Sequence, residues 1–262
     1  MKIGRINYEQ QIYYAAIDEE AGTATLVDGD IFGPEIALTR TTLPLDACTL
    51  LAPVTPQHVY AIGLNYAAHV DEFKHIDPTR ANPDDPIAFL CASTAITGPD
   101  TAIGITRLDH TVDYEGELVA VIRRRASRVS EEEALDYVLG YTIGNDVSDR
   151  TFQNADKQWL RAKSQPTYKP LGPWIATDIE NPQDLSIRTR LNGELRQDGN
   201  TSLMIFGIAR LIAHLSAFTT LYPGDVIYSG TPAGVGHLAP GDDIAIEIEH
   251  IGTLHNTVTS AE

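Results

Sequence analysis

The chain predicts a β-dominated α+β fold, and three observations carry that expectation. Runs of strand length recur through all 262 residues, bounded by Gly, Pro, Asp and Asn. Long helical spacing is sustained in one segment only, "SLMIFGIARLIAHLSAF", where Leu203, Phe206, Ile208, Leu211, Ile212 and Leu215 share a face. Strands and helices do not alternate regularly, which argues against a doubly wound parallel sheet. Hydrophobic residues make up 43% and charged residues 21%, so a sizeable core is expected. Residues 1–50 read as a small β-rich domain and 51–262 as a larger one, joined through the Pro-punctuated "LAPVTP".

The elements follow in order. "KIGRINY", "QIYYAAID" and "TATLVDG" form a small meander. "HVYAIGLNY" is a strand, and one or two helical turns begin near Asn65. The polar, three-proline segment Phe73–Pro86 is a loop. "PIAFL" and "TAITG" are short strands, followed by the strand "DYEGELVAVIRR". In "SEEEALDYV", Ser130 and Glu133 have capping-box spacing and open a helix. "LGYTIGND" is a strand, "DRTFQNADKQWLRAK" is partly helical, and "PLGPWIAT" is strand and turn. Asn192-Gly193 marks a hairpin. "DVIYSG" and "DDIAIEIEHIGTLHNTV" return to β structure.

The formal net charge of −17 opposes binding to nucleic acid or to anionic membrane surfaces. The basic run Arg123–Arg128 sits directly before "SEEE". No apolar run reaches membrane-span length, and the first residues lack a hydrophobic signal segment; a cytoplasmic protein is expected. Cys48 and Cys91 are the only cysteines, without CxxC spacing, so a thiolate metal site is excluded and two reduced thiols are expected.

The chemistry begins in "DYEGELVAV". Glu115 and Glu117 share a strand face with Val119 and Val121, while Leu118, Ala120 and Ile122 take the other. Carboxylates driven into a core repel each other and resist ionisation unless a cation joins them. Asp146, ending "YTIGND", supplies a third acid. All-oxygen ligation points to Mg²⁺, Mn²⁺ or Ca²⁺ rather than Zn²⁺. A one-sided sheet with these acids in water stays open on the pattern alone. His69 and Glu72 lie three apart on the expected helix, so the carboxylate can orient the imidazole as a base; a surface pair is the alternative. Lys163, one of five lysines, is a candidate for stabilising a developing oxyanion, or an exposed helix lysine. In "YSGTPAGVG", Gly230 and its neighbours, with the Thr231 hydroxyl, form either a carboxylate cradle or a tight turn.

From Leu51 to Val258, nine blocks in order resemble the fumarylacetoacetate hydrolase superfamily: "AIGLNYAAHVDE", "TAITGPD", "VDYEGELVAVI", "LGYTIGNDVSDRTFQ", "RAKS", "PLGPWIATD", "LNGELRQDGNTSLMIF", "PGDVIYSGTPAGVG" and "GDDIAIEI". The resemblance implies a mixed β-roll with a small N-terminal β domain, a homodimer, and a divalent metal, Mg²⁺ or Mn²⁺, with Ca²⁺ able to substitute. It places the metal ligands on Glu115, Glu117 and Asp146. It places a water-activating dyad on His69 and Glu72, with Lys163 as the catalytic cation. Gln153, Arg150, Thr231 and Gly230 become the substrate-side residues. The implied activity is hydrolysis of a C–C bond in an acylpyruvate-like 2,4-dioxo acid, as in aromatic compound catabolism. The alternative is decarboxylation or isomerisation of a 2-oxo dicarboxylic acid. A noncatalytic metal-stabilised binding protein is the third reading, opposed by the intact dyad. The segment Phe73–Pro86 would act as a lid. The chain departs from the family pattern at Cys91-Ala92, where Lys-Pro is common, and at Gln165-Pro166, where an aromatic and an acid are common.

Overall fold

The computed structural model describes residues 1–72 and 81–261. Strands dominate it, in three sheets. The large sheet runs in the order Ala37–Pro44, Thr23–Asp28, Gln11–Asp18, Lys2–Tyr8, Lys169–Ala176, Val138–Asn145, Gly116–Ile122, Val226–Tyr228, Val59–Gly63, Ile87–Cys91. The N-terminal meander is therefore continuous with the rest: Lys2 and Ile3 pair antiparallel with Ala176 and Ile175. A second sheet holds Glu194–Asn200, Ser186–Leu191, Asp243–Ile248, Gly252–Ser260 and Ile103–Ile105. A small third sheet joins Ser148–Asp149, Val112–Tyr114 and Gly236–His237.

The strand Gly116–Ile122 is buried at every position. Its two faces meet different apolar clusters. Leu118, Ala120 and Ile122 pack into one, and Val119 and Val121 into the other with Cys91, Leu171 and Tyr228. That two-sided burial is why the strand reads as a continuous apolar run. Its neighbour comes unusually close at Gly144, where any side chain would meet Tyr228 at 2.3 Å. The Asn192-Gly193 hairpin forms as expected, both residues having positive φ (53° and 80°). Both cysteines are free thiols. Among the described residues no helix is long and apolar enough to cross a membrane.

Among the described residues the α-helices are α1 (Ala67–Glu72), α2 (Arg150–Ala155), α3 (Leu160–Lys163) and α4 (Ile208–Phe218). Two expectations need correction. Only half of the Ser130–Glu133 box forms: Ser130 Oγ accepts from Glu133 N at 3.3 Å, and the Glu133 carboxylate takes its hydrogen bond from that hydroxyl at 3.0 Å. It opens only a 3-10 turn, Ala134–Tyr137, because the next strand begins at Val138 and leaves no room for a stable α-helix. The apolar run from Leu203 does not become helical until Ile208. Asn65 captures the intervening backbone: its carbonyl accepts from Ile205 N, and its side chain bonds both Phe206 N and Phe206 O. The expected loop Phe73–Pro86, and with it the lid, lies over 73–80 outside the described residues.

Candidate metal centre and catalytic pocket

Three chain segments converge where the strands Val112–Tyr114 and Gly116–Ile122 are interrupted at Glu115. Asn145 locks the break, its Oδ1 accepting from Glu115 N at 2.9 Å. Glu115 O in turn accepts from Asp146 N at 2.9 Å, so the two strand ends present their acids to one point. Glu115, Glu117 and Asp146 offer oxygens all within 4.8 Å of one another, and each is at most 4% exposed. The expected acid cluster is therefore assembled and buried, not solvated.

Polar contacts run in a chain from the exposed His237 inward through buried charged groups. His237 Nδ1 lies 2.5 Å from Asp113 Oδ1, and Asp113 Oδ2 accepts from Arg150 Nε at 2.7 Å. Arg150 also donates to Glu115 Oε1 at 2.6 Å and to Gln153 Oε1 at 2.7 Å. Lys163 Nζ bridges Glu115 Oε2 (2.7 Å) and Asp146 Oδ2 (2.9 Å). Lys169 Nζ closes the chain 2.5 Å from Asp146 Oδ1. Asp113, Glu115 and Asp146 are thus matched by Arg150, Lys163 and Lys169.

Glu117 is the acid left over. Its Oε2 accepts from Gly230 N at 2.8 Å, and among the described residues no cationic group lies within ion-pair distance of it. Gly230 can make that approach because its φ is +97°. Burial, then Asp146, then Glu115 push the Glu117 carboxyl well above the usual carboxylate range. Glu115 goes the other way. Burial opposes its charge, but Lys163, Arg150 and His69 outweigh that and hold it well below the usual range. For Lys163, burial is outweighed by Asp146 and Glu115, which hold the ammonium charged.

These residues fit a hard dication. The donors are carboxylate oxygens only, an ammonium already lies between two of them, and one acid is unmatched. Among the described residues of the charge chain, with a dication present and Glu117 ionised, four acids (Asp113, Glu115, Glu117, Asp146) would face three cations (Arg150, Lys163, Lys169) and two added charges. The surplus of one positive charge suits a single substrate carboxylate.

His69 is 4% exposed. Its Nδ1 lies 2.9 Å from Glu72 Oε2, and Glu72 is fixed in turn by Gly234 N at 2.7 Å. A carboxylate at Nδ1 requires the proton there, which leaves Nε2 as the basic atom. Nε2 is 3.9 Å from Glu115 Oε1. Both ends of this arrangement open on one cavity of about 380 Å³, lined also by Trp159, Gln153, Thr231 and His237.

The substrate-side expectations divide. Arg150, Gln153 and Thr231 line the cavity, but the Thr231 hydroxyl is engaged, donating to Gly116 O at 2.9 Å and accepting from Gln197 Nε2 at 2.8 Å. Gly230 serves Glu117. Gln165 turns to Asp149 Oδ2 at 3.3 Å and to Thr106. Sequence reasoning missed Asp113, Lys169, Gln197 and His237. Asp113 stood in the quoted "DYEGE", and Lys169 directly precedes "PLGPW"; the latter offered no periodicity that marks a buried lysine.

A sequence profile of the fumarylacetoacetate (FAA) hydrolase C-terminal family matches residues 58–259. The chain belongs to that family. A second profile, Rv2993c-like N-terminal, matches residues 1–53 of this hydrolase-family chain. Its relatives include Protein Rv2993c of Mycobacterium tuberculosis, 44% identical and covering 98% of both chains. The oxaloacetate tautomerase fahd2, mitochondrial, of Xenopus laevis is 40% identical over 80% of this chain and 68% of its own. The crystal structure of 5-carboxymethyl-2-hydroxymuconate delta-isomerase from Mycobacterium smegmatis is 42% identical, superposes with a TM-score of 0.91 and covers both chains fully.

Proposed function

We propose that this chain is a divalent-cation-dependent enzyme that moves a proton on a small 2-oxo acid, interconverting its keto and enol or unsaturated isomers. The observation that carries this is His69. It is a buried imidazole with its base atom on the cavity side and its other nitrogen held by an anchored carboxylate, beside the acid cluster. Two relatives, one named a tautomerase and one a delta-isomerase, support a reaction without net cleavage.

Glu115, Glu117 and Asp146 would hold the cation. Bound there, it would supply Lewis-acid polarisation of a 2-oxo group. Arg150 and Lys163 provide the fixed positive charge facing the substrate carboxylate. His69 Nε2 takes a proton from the carbon beside the oxo group. The C–H electron pair becomes the C=C bond, and the carbonyl pair moves to oxygen. Glu72 stabilises the resulting imidazolium, which returns the proton to a different atom of the substrate. Trp159, against Phe89 at 5.0 Å between centroids, walls one side of the cavity and limits water.

The same dyad also favours a second reading: His69 deprotonates a water that attacks the distal carbonyl of a 2,4-dioxo acid, cleaving the C–C bond. The two separate in a panel of 2-oxo and 2,4-dioxo acids with Mg²⁺ and Mn²⁺. It should follow enol absorbance, CO₂ and pyruvate together. Enol decay without stoichiometric pyruvate or CO₂ is the expected result. Pyruvate formed from a 2,4-dioxo acid in step with substrate loss and without CO₂ would replace the first reading by the second, and CO₂ formed in step with substrate loss would replace both by decarboxylation. No turnover of any 2-oxo acid would overturn both.

A further inference from the structure

Lys169 is fully buried and lies behind the acid cluster, outside the cavity lining. Its ammonium donates to the carbonyls of Lys163 (2.5 Å) and Tyr168 (3.1 Å). It also lies 2.5 Å from Asp146 Oδ1, at ion-pair distance. Asp146 is therefore met asymmetrically: Oδ1 lies in charge contact with Lys169 and has no hydrogen-bond donor among the described residues, while Oδ2 accepts from Lys163 Nζ at 2.9 Å. A lysine with no exposure is rare and is retained only where its charge is matched. The mechanism above makes no use of it.

We infer that Lys169 is a positioning residue that makes Asp146 a one-oxygen ligand and so biases the centre toward small octahedral cations over Ca²⁺. This rests on the cation centre proposed above. Mg²⁺ needs near-ideal octahedral geometry at about 2.0–2.1 Å, whereas Ca²⁺ takes six to eight oxygens and welcomes two-oxygen carboxylates. Turning both Asp146 oxygens on one ion would break the charge contact between Oδ1 and Lys169. The same ammonium fixes the Lys163 carbonyl, so it ties the backbone of α3 to the ligand that the Lys163 side chain also grips.

The test is calorimetric titration of the metal-free full chain with MgCl₂, MnCl₂ and CaCl₂, for wild type, Lys169→Met and Lys169→Gln. Removing the buried charge releases Oδ1, and the preference for Mg²⁺ over Ca²⁺ is expected to fall roughly 10–100-fold, the scale seen when groups supporting a ligand are lost. Lys169→Arg, which keeps the charge, is expected to retain more of the preference than Met. A preference unchanged within about twofold in Met and Gln overturns the proposal, since a merely structural lysine would lower stability without moving this ratio. If both neutral variants fail to fold, Lys169→Met/Asp146→Asn decides. Recovery of folding in the double variant shows that the lysine acts through Asp146, and no recovery overturns it. If wild type itself takes up none of the three cations, the centre proposed above fails. The stability cycle then still scores the Lys169–Asp146 coupling on its own.

Discussion

The buried charge chain has two ends that differ in their access to water. At the cavity mouth, the His237 side chain is 74% exposed and grips Asp113, which is 9% exposed. At the closed end, Lys169 and Asp146 are 0% and 2% exposed. Both ends are polar contacts of 2.5 Å, yet they carry different consequences. A group left unpaired at the mouth is rehydrated, and such pairs are worth about 0–1 kcal/mol. A group left unpaired at the closed end stays in low dielectric, where breaking a pair costs about 3–5 kcal/mol. The closed end is built to hold geometry, and the mouth can exchange its partners for a ligand.

The largest expected effect comes from Glu117, buried at the cavity floor and without a cationic partner at ion-pair distance among the described residues. Glu117→Gln should remove calorimetric uptake of Mg²⁺ and Mn²⁺ and bring turnover to background. The same variant should be more stable than wild type when metal-free. The Glu117 carboxyl is raised in the folded chain, so between its unfolded value and that raised value the native state keeps a proton the unfolded state has lost. Metal-free stability therefore falls as pH rises through that window. Melting midpoints from about pH 5 to about pH 8 should decline in wild type and stay flatter in Glu117→Gln. Metal binding to wild type should release a proton at pH values where the raised Glu117 carboxyl still carries one, read from its enthalpy in buffers of different ionisation heat. Parallel slopes for the two proteins would show that Glu117 is not the strained acid.

Next comes His69, which touches the chain at its middle through Glu115. His69→Ala should retain metal uptake while losing about 10²–10⁴-fold in turnover, the usual contribution of a positioned general base. Glu72→Gln should fall between it and wild type, because the imidazole would keep a partner at Nδ1 but lose the charge that stabilises its protonated form. Loss of metal uptake in His69→Ala would move the histidine from proton transfer to cation binding.

The contrast also marks what was legible beforehand. Glu115 and Glu117 were readable because a strand's period of two puts them on the face of Val119 and Val121, and a core cannot absorb two acids without reason. The His69–Glu72 pair was readable from a helix's period. Lys169 was not, because its role depends on which backbone carbonyls meet it after the Lys169–Ala176 strand docks. Asp113 and His237 come together only through the pairing of strands more than a hundred residues apart. The β-dominated architecture followed from local pattern, but the late start of α4 did not, since Asn65 stops the helix from 141 residues away. Local periodicity names the residues that must be buried; long-range pairing decides what each of them meets.

At the mouth, Asp113→Asn should act through Arg150. The guanidinium would lose the Asp113 carboxylate but keep Glu115, so metal uptake should survive. The substrate carboxylate would meet a less firmly oriented cation, and KM should rise about tenfold with a smaller change in kcat. A larger loss in kcat than in KM would place Asp113 in the proton transfer itself, and the mouth would then be no more exchangeable than the closed end.

The smallest effect is expected at His237. Its imidazole lines the cavity yet stands mostly in water, so solvent replaces whatever it loses. His237→Asn should leave the metal-free melting midpoint within the scatter of an exposed substitution, about 0.5 kcal/mol in stability, and should raise KM by only a few-fold. The informative comparison is among substrates. If this end receives the far part of the ligand, a 2-oxo acid with a second carboxylate should lose more from His237→Asn than one ending in an alkyl group, because a mostly exposed imidazole has little else to offer an alkyl chain. Equal losses for both would leave the mouth as a wall without a preference, and would assign all substrate charge recognition to Arg150 and Lys163 further in.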